Sequence, residues 1–518
     1  MMVQLSSLAG DFALMLRAEW TKLRTVPGWV ATAAGALLAI LAVGLLGTAA
    51  TNPNPVRTGL PVGPGGEAVN DSFSFVHREL SGDGTLTVPV LGLTSVTAQG
   101  PEGSSPGPVA EWAKAGIIVK AGLDQGSTYA AVTATGAHGV RWQHDYTHDA
   151  AGRPGRPTDA APQWLRLTRT GDTVTGYDSA DGEHWTRIGT ARLPDLPGTA
   201  QVGLFTTSPE TPEDTGTGTG LAPAVATGRF GPAVLSGGWA EDPGGPGGPD
   251  DGWTGSLVGT DAGTSGSYLP GATGGYARDA AGFTVTGAGD IAPVVGGPAL
   301  AGGRVVENFL VGTFAGLTAL AVVATGSATA EYRRGLIALT LAAAPRRGLL
   351  PLAKALPLAG VSLLVGTAAA ALAVPLGTAW STAHGFPVAA VPDAVTLRVV
   401  LGTGLLLADA TVLALALGLL LRRAAPAIAA TVAGLVLPYL LATSGTLPTG
   451  ASEWLLRVTP AAGFAIQQSL PRLPQVSTLY APASGHYPLP PWTGLAVLTA
   501  WAAAALLAAA LLIRRRDA

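Results

Sequence analysis

Few side chains in this sequence are spaced to do chemistry. His144 and His148 stand in HDYTHD with Asp145 and Asp149. An H-x-x-x-H pair chelates a metal when helical, because i and i+4 share a face. Here the segment continues a strand-like run into a Gly/Pro loop, so it reads as surface and no metal site is expected. Calcium on Asp145 and Asp149 is no better supported. Asp409 is the lone charge in LLLADATVLAL. A carboxylate at the centre of a bilayer is costly, so it must face a cavity or a partner. It is a candidate for a translocation path or a proton-linked group; the alternative is a protonated acid hydrogen-bonded to a helix neighbour. Trp112, Trp142, Trp164 and Trp185 could stack on sugars or fill a core. Trp164 and Trp185 lie in regular strand patterns and read as core; Trp142 stays open as a candidate glycan contact. A phosphate-cradling loop needs Gly-Lys before Ser/Thr. The lysines are Lys22, Lys114, Lys120 and Lys354, and none follows a glycine. No cysteine is present, which removes disulfides, thiolate zinc sites and cysteine nucleophiles. No catalytic residue is expected, and no cofactor in this chain.

The elements that carry these residues divide between two environments. The chain has 518 residues, 47% hydrophobic and 12% charged, with mean hydropathy +0.37. Soluble domains carry about 25% charged residues. Yet 72 Gly and 40 Pro are too many for transmembrane helix alone, so a hybrid is expected. A bilayer core of about 30 Å needs about 20 apolar residues in a helix. Six stretches qualify: 29–50, 308–330, 355–377, 399–421, 424–443 and 492–513. Several are Ala/Gly-rich, which suits closely packed spans. Residues 51–307 hold 26 of the 33 acidic residues and 14 of the 30 basic ones; the remainder is net basic. This is not the basic stripe of a nucleic-acid binder.

With the N-terminus cytoplasmic, the basic residues inside are Arg17, Lys22, Arg24, Arg333, Arg334, Arg346, Arg347, Lys354, Arg422, Arg423 and Arg514 to Arg516. The short outer loops hold only Arg398, Arg457 and Arg472. That bias places both termini in the cytoplasm and 51–307 outside the cell membrane. Residues 1–28 read as an amphipathic interfacial helix, with Leu8, Phe12, Leu16, Trp20 and Leu23 on one stripe. A cleaved signal peptide is disfavoured, because the first apolar run exceeds the ~7–15 residues of a signal core.

The outer segment is long enough for its own core. Strands are expected at 116–120, 129–135, 140–144, 164–169, 173–177, 185–188 and 201–207, with Gly171-Asp172 and Asp181-Gly182 at hairpin turns. Residues 56–208 read as a β-sandwich, 209–282 as Gly/Pro-rich loops and 283–297 as a return strand. Residues 445–491 form the last outer loop. Within it, 451–470 is too polar to span, and Trp454, Leu455, Val458, Phe464 and Ile466 could lie at the interface.

WAKAGIIVKAG (112–122), GVRWQHDY (139–146), the run 164–189 and VGLFTTS (202–208) resemble concanavalin-like jelly-roll domains of the laminin-G and DUF1349 type. That resemblance implies a sandwich that often binds glycans. Glucanases of this fold use an E-x-D-x-x-E strand, which is missing here, so paired-carboxylate hydrolysis is not expected. RAEWTKLRT (17–25) and TAEYRRGLIALTLAAAPRRGLLPLAKA (329–355), with six spans, resemble the permease subunit of ABC-2 type transporters. LSGGW (235–239) mimics an ABC signature, but it lies in the outer segment and reads as coincidence. The permease resemblance implies a six-helix membrane bundle and a second permease protomer in the bilayer. It also implies a separate ATP-binding subunit that brings ATP and Mg, docked on the loop 331–354. Glu331, Tyr332, Arg333, Arg334 and Gly335 would begin that docking element, and Arg346 and Arg347 would end it. Topology alone explains the arginines but not the Glu-Tyr pair. The resulting expectation is the path-forming subunit of an ATP-driven exporter, carrying an outer sandwich. The alternative is a membrane-anchored receptor or scaffold for an extracellular glycan.

Overall fold

The computed structural model describes residues 2–49, 61–98, 104–105, 109–214, 219–240, 252–259, 274–294, 304–333, 347–384, 386, 388–477 and 480–516. Helix α1 (Met2–Thr25) breaks at Val26, and Pro27 opens α2 (Pro27–Ala49), where its missing N–H costs nothing. The remaining helices are α3 (Thr313–Arg333), α4 (Leu350–Ala383), α5 (Asp393–Leu421), α6 (Ala424–Thr443), α7 (Thr449–Val458) and α8 (Pro491–Arg516). Six segments are long and apolar enough to cross a membrane, and each overlaps one expected span. Their outward side chains are apolar too. Leu364, Leu437 and Leu507 are more than half exposed, as lipid contact requires.

Small residues set the helix packing. A Cβ on Gly366 would stand 2.8 Å from the Gly404 Cα, so α4 and α5 touch backbone to backbone. The loop expected at 331–354 is shorter than that. Glu331 to Arg333 end α3, and Leu350 to Lys354 form the first turns of α4. The polar run 451–470 does not stay at the surface. Trp454 of α7 is 64% exposed, but a 3-10 segment (Pro460–Gln467) then enters the bundle, burying Phe464 and Ile466.

The sandwich strands used below are β1 (Val69–Asp71), β2 (Phe73–Ala98), β3 (Lys114–Lys120), β4 (Tyr129–Thr135), β5 (Val140–His144), β6 (His148–Ala151), β7 (Gln163–Thr170), β8 (Thr173–Ser179), β9 (Thr186–Arg192), β10 (Thr199–Thr207), β11 (Ala224–Phe230), β12 (Gly282–Gly287) and β13 (Ile291–Pro293). The main antiparallel path runs β9-β8-β7-β2-β10-β3-β4-β5-β6. β7 and β8 alternate buried and half-buried residues, as strands with one wet face do. β3 and β4 are buried throughout. Ile117 and Val119 enter the main core, and Ile118 packs with Phe73, Phe75 and Tyr129 on the other side.

β2 is one 26-residue strand that runs through Ser81-Gly-Asp-Gly. Gly82 takes φ +74° there, and pairing passes from β10 before the bend to β7 after it. One expectation needs correction: 209–282 is not loop throughout. β11 pairs with β2 and β12, and Thr254–Val258 pairs with β2. Alanines and glycine hide the strand period of β11, since its inward residues include Ala224, Ala226 and Gly228.

β1 and β13, which flank the two passages to the membrane, pair with each other in the register Val69↔Pro293 and Asp71↔Ile291. Lys120 Nζ lies 2.7 Å from Asp71 Oδ2, and Lys114 Nζ lies 2.6 Å from Asp290 Oδ1. Both lysines project from β3 and are fully buried. Burial pulls Lys120 below the usual lysine range, against the attraction of Asp71. Gln475 Nε2 donates to Thr147 O at 3.3 Å, which seats the sandwich on the loop before α8.

Candidate functional site

The most concentrated charge in the helical body lies at the end away from the sandwich. Glu19 and Lys22 come from α1, Glu331 from the last turn of α3, and Lys354 from the first turns of α4. Lys354 Nζ lies 2.8 Å from Glu331 Oε1 and 3.1 Å from each Glu19 oxygen. Lys22 Nζ lies 2.8 Å from Glu19 Oε1 and 2.9 Å from Glu331 Oε1. Two cations and two anions thus share one knot with no net charge. The Lys354 side chain is only 3% exposed and that of Lys22 is 43% exposed. Burial works against the Lys22 ammonium, yet its bonds to Glu19 and Glu331 outweigh it and hold the pKa above the usual lysine value. Unpaired buried ions are expensive, so each member depends on the others.

The knot brackets the segment expected to dock a partner. Glu331 itself points inward and is spent on Lys22 and Lys354. The Tyr332 ring lies under the Arg422 guanidinium, 5.1 Å from its centroid, at the turn between α5 and α6. Arg333 ends α3, and Arg347 opens a short 3-10 turn that leads into α4. Arg334, Gly335 and Arg346 lie outside the described residues. Glu19 was visible in the sequence only as a residue off the apolar stripe of α1, and Lys354 only as one more inside charge. Their convergence needs the α1 elbow, which no spacing announces.

Asp409 is half-buried on α5 and faces α8. Its Oδ2 is 2.6 Å from Thr499 Oγ1. Asp409 thus has a hydrogen-bond partner on a neighbouring helix. At the sandwich end of the bundle, the backbone N–H and hydroxyl of Ser469 both donate to the carboxylate of half-buried Glu307. Gln467 Nε2 reaches Thr403 Oγ1 at 3.0 Å and Thr313 Oγ1 at 3.2 Å. His486 lines the pocket beside Glu307. It is 1% exposed, and neither ring nitrogen is hydrogen-bonded among the described residues. Burial first, then the nearby Arg472 charge, pushes its pKa down to about 4.

In the sandwich, Trp142 is not a glycan contact. It is 3% exposed, and a Cβ on Gly176 or Gly189 would stand 2.3 Å from its ring. Two glycines make the slot that swallows the indole. Trp164 and Trp185, expected in the core, are instead half-buried on the outer face. Arg166 stacks on Trp185 at 3.8 Å. In the HDYTHD segment, Asp149 is held by Arg141 and by Gln143 at 3.0 Å, and Thr128 donates to Asp145. Among the described residues no three His, Asp or Glu side chains gather as a metal cage.

No protein-family model matches the chain, and no curated protein matches it. Among solved structures it is similar to a protein of unknown function from Saccharomyces cerevisiae, at 16% identity and TM-score 0.18, over 31% of this chain and 72% of that one. A GH43 protein from Bacillus licheniformis follows at 15% and 0.19, covering 30% of this chain and 27% of its own. A scytalido-glutamic peptidase bound to a transition-state analog inhibitor aligns at 10% and 0.26, over 43% of this chain and 100% of that one. At such TM-scores none of the three carries an argument about this chain.

Proposed function

We propose that this chain is the permease subunit of an ATP-driven exporter of the ABC-2 type. Its sandwich stands outside the cell membrane, and its charge knot lies on the cytoplasmic side. The observation that carries the reading is the knot itself. Glu331 and Lys354 frame the segment 334–346, and both are bonded to the interfacial helix α1. A push on that segment by a docked ATP-binding subunit passes to α3, α4 and α1 together. Two such protomers enclose the path, and Asp409, bonded to Thr499, is one polar group within the spans. ATP and Mg belong to the partner; this chain supplies the moving walls.

The test is co-purification of the full chain with a span-free ATPase from its native membrane, followed by ATPase assay in vesicles. Arg333→Glu/Arg334→Glu should leave insertion intact and uncouple the ATPase. Unchanged association and turnover would remove the docking assignment. The half-exposed Trp164 and Trp185 beside Arg166 favour a second reading, a glycan receptor anchored by the helices. Binding of the full chain to a glycan array, lost in Trp164→Ala, would support that reading instead.

A further inference from the structure

Below the elbow between α1 and α2 lies an apolar cavity of about 180 Å³. Trp29, Val323 and Leu358 form its walls, and Trp20 and Arg24 form its rim. A second opening of about 320 Å³ shares Trp20 and is lined by Leu16, Leu356 and Pro357, with Arg17 at its edge. The first cavity is not built for water. Its deepest polar atoms, Ser362 Oγ and Thr411 Oγ1, are bonded to each other at 2.8 Å, and water needs two to four polar partners. From Glu331 up α3 to Val323 is eight residues, about 12 Å along the helix, so the slot runs from the level of the charge knot into the apolar layer. Arg17 and Arg24 are exposed and form no ion pair among the described residues. Two greasy slots that share one tryptophan, each with an arginine at its mouth, match two acyl chains and one anionic headgroup.

We propose that this elbow holds one anionic diacyl phospholipid from the leaflet on the α1 side. Its chains fill the two slots, and its phosphate sits between Arg17 and Arg24. Charge decides the headgroup, because two exposed guanidinium groups at an interface attract a net negative lipid over a zwitterionic one. The assignment does not depend on the exporter reading.

The experiment is native mass spectrometry of the full chain in a non-ionic detergent. The chain is stripped of lipid, then supplied with phosphatidylglycerol or phosphatidylcholine of the same chains. The expected result is one phosphatidylglycerol per chain, retained at least tenfold better than phosphatidylcholine. Leu358→Trp, which fills the slot, should abolish retention. Arg17→Gln/Arg24→Gln should keep lipid binding and erase the headgroup preference, which covers the case in which Leu358→Trp fails to fold. Leu364→Trp, on the outward face of α4, is the control and should retain lipid like the parent. Equal retention of the two lipids by the parent, or full retention by Leu358→Trp, would reduce the bound lipid to an unselective annulus and overturn the proposal. A dimer that Leu358→Trp dissolves, with no lipid retained, would give the slots to a second copy and overturn it equally.

Discussion

Lys354 is the member of the charge knot whose loss should hurt most, and the structure says by how much. Its ammonium is almost sealed from solvent and touches both Glu19 and Glu331. Lys354→Met leaves two part-buried carboxylates facing only Lys22. Removing one partner of a buried ion pair costs about 3–5 kcal/mol, most of it from the charge left behind. Lys22 bonds the same carboxylates at similar distances, but its side chain is 43% exposed. Water can replace it, so Lys22→Met should cost no more than about 1 kcal/mol. The triple change Lys354→Met/Glu331→Leu/Glu19→Gln removes the orphaned charges and should recover most of the loss. The assay is reversible unfolding of the full chain in mixed micelles, titrated with a denaturing detergent and followed by helix circular dichroism. Equal losses for the Lys354 and Lys22 variants, or no recovery in the triple variant, would refute the reasoning.

Three further outcomes are expected. Because His486 is held neutral down to about pH 4 while the unfolded imidazole ionises near 6.5, the unfolded chain takes the proton first. Stability should therefore fall from about pH 6.5 and level off below about pH 4, by on the order of 3 kcal/mol. His486→Gln should flatten that decline, and parallel profiles would contradict the assignment. Trp142→Ala should cost the sandwich about 3–5 kcal/mol as a core truncation, and Gly189→Ala about 1–3 kcal/mol by overpacking the same slot, both read by near-ultraviolet circular dichroism during unfolding. The chain lacks cysteine, so single replacements report sidedness without background. Glu183→Cys should react with an impermeant maleimide on intact cells and Thr25→Cys only after lysis; the reverse pattern would invert the membrane orientation.

The helices and the regular strands were legible because their periods are strong. Long apolar runs and the alternation in Gln163–Thr170 need only local chemistry. The long strand β2 was not, because its Gly82 bend looks like the end of an element. β11 leaves no alternating pattern in the sequence, because alanine and glycine carry little hydropathy even when they face a core. Site chemistry fared worse. Trp142 had the right residue type, but its burial depends on Gly176 and Gly189, which face it from neighbouring strands. The sequence offers Glu331 to a partner outside the chain, yet its partners sit 309 and 23 residues away within it. Lys114 and Lys120 entered only as lysines that do not follow glycine, although each neutralises a buried aspartate.

Those two lysines have a mechanical consequence. They stand six residues apart on one strand, and each grips one of the two threads that tie the head to its stem. Pulling either thread out of the sandwich would break a desolvated ion pair on β3 before it could peel β1 from β13. The base of the head is therefore locked at the two points where a tug from the helices would first arrive.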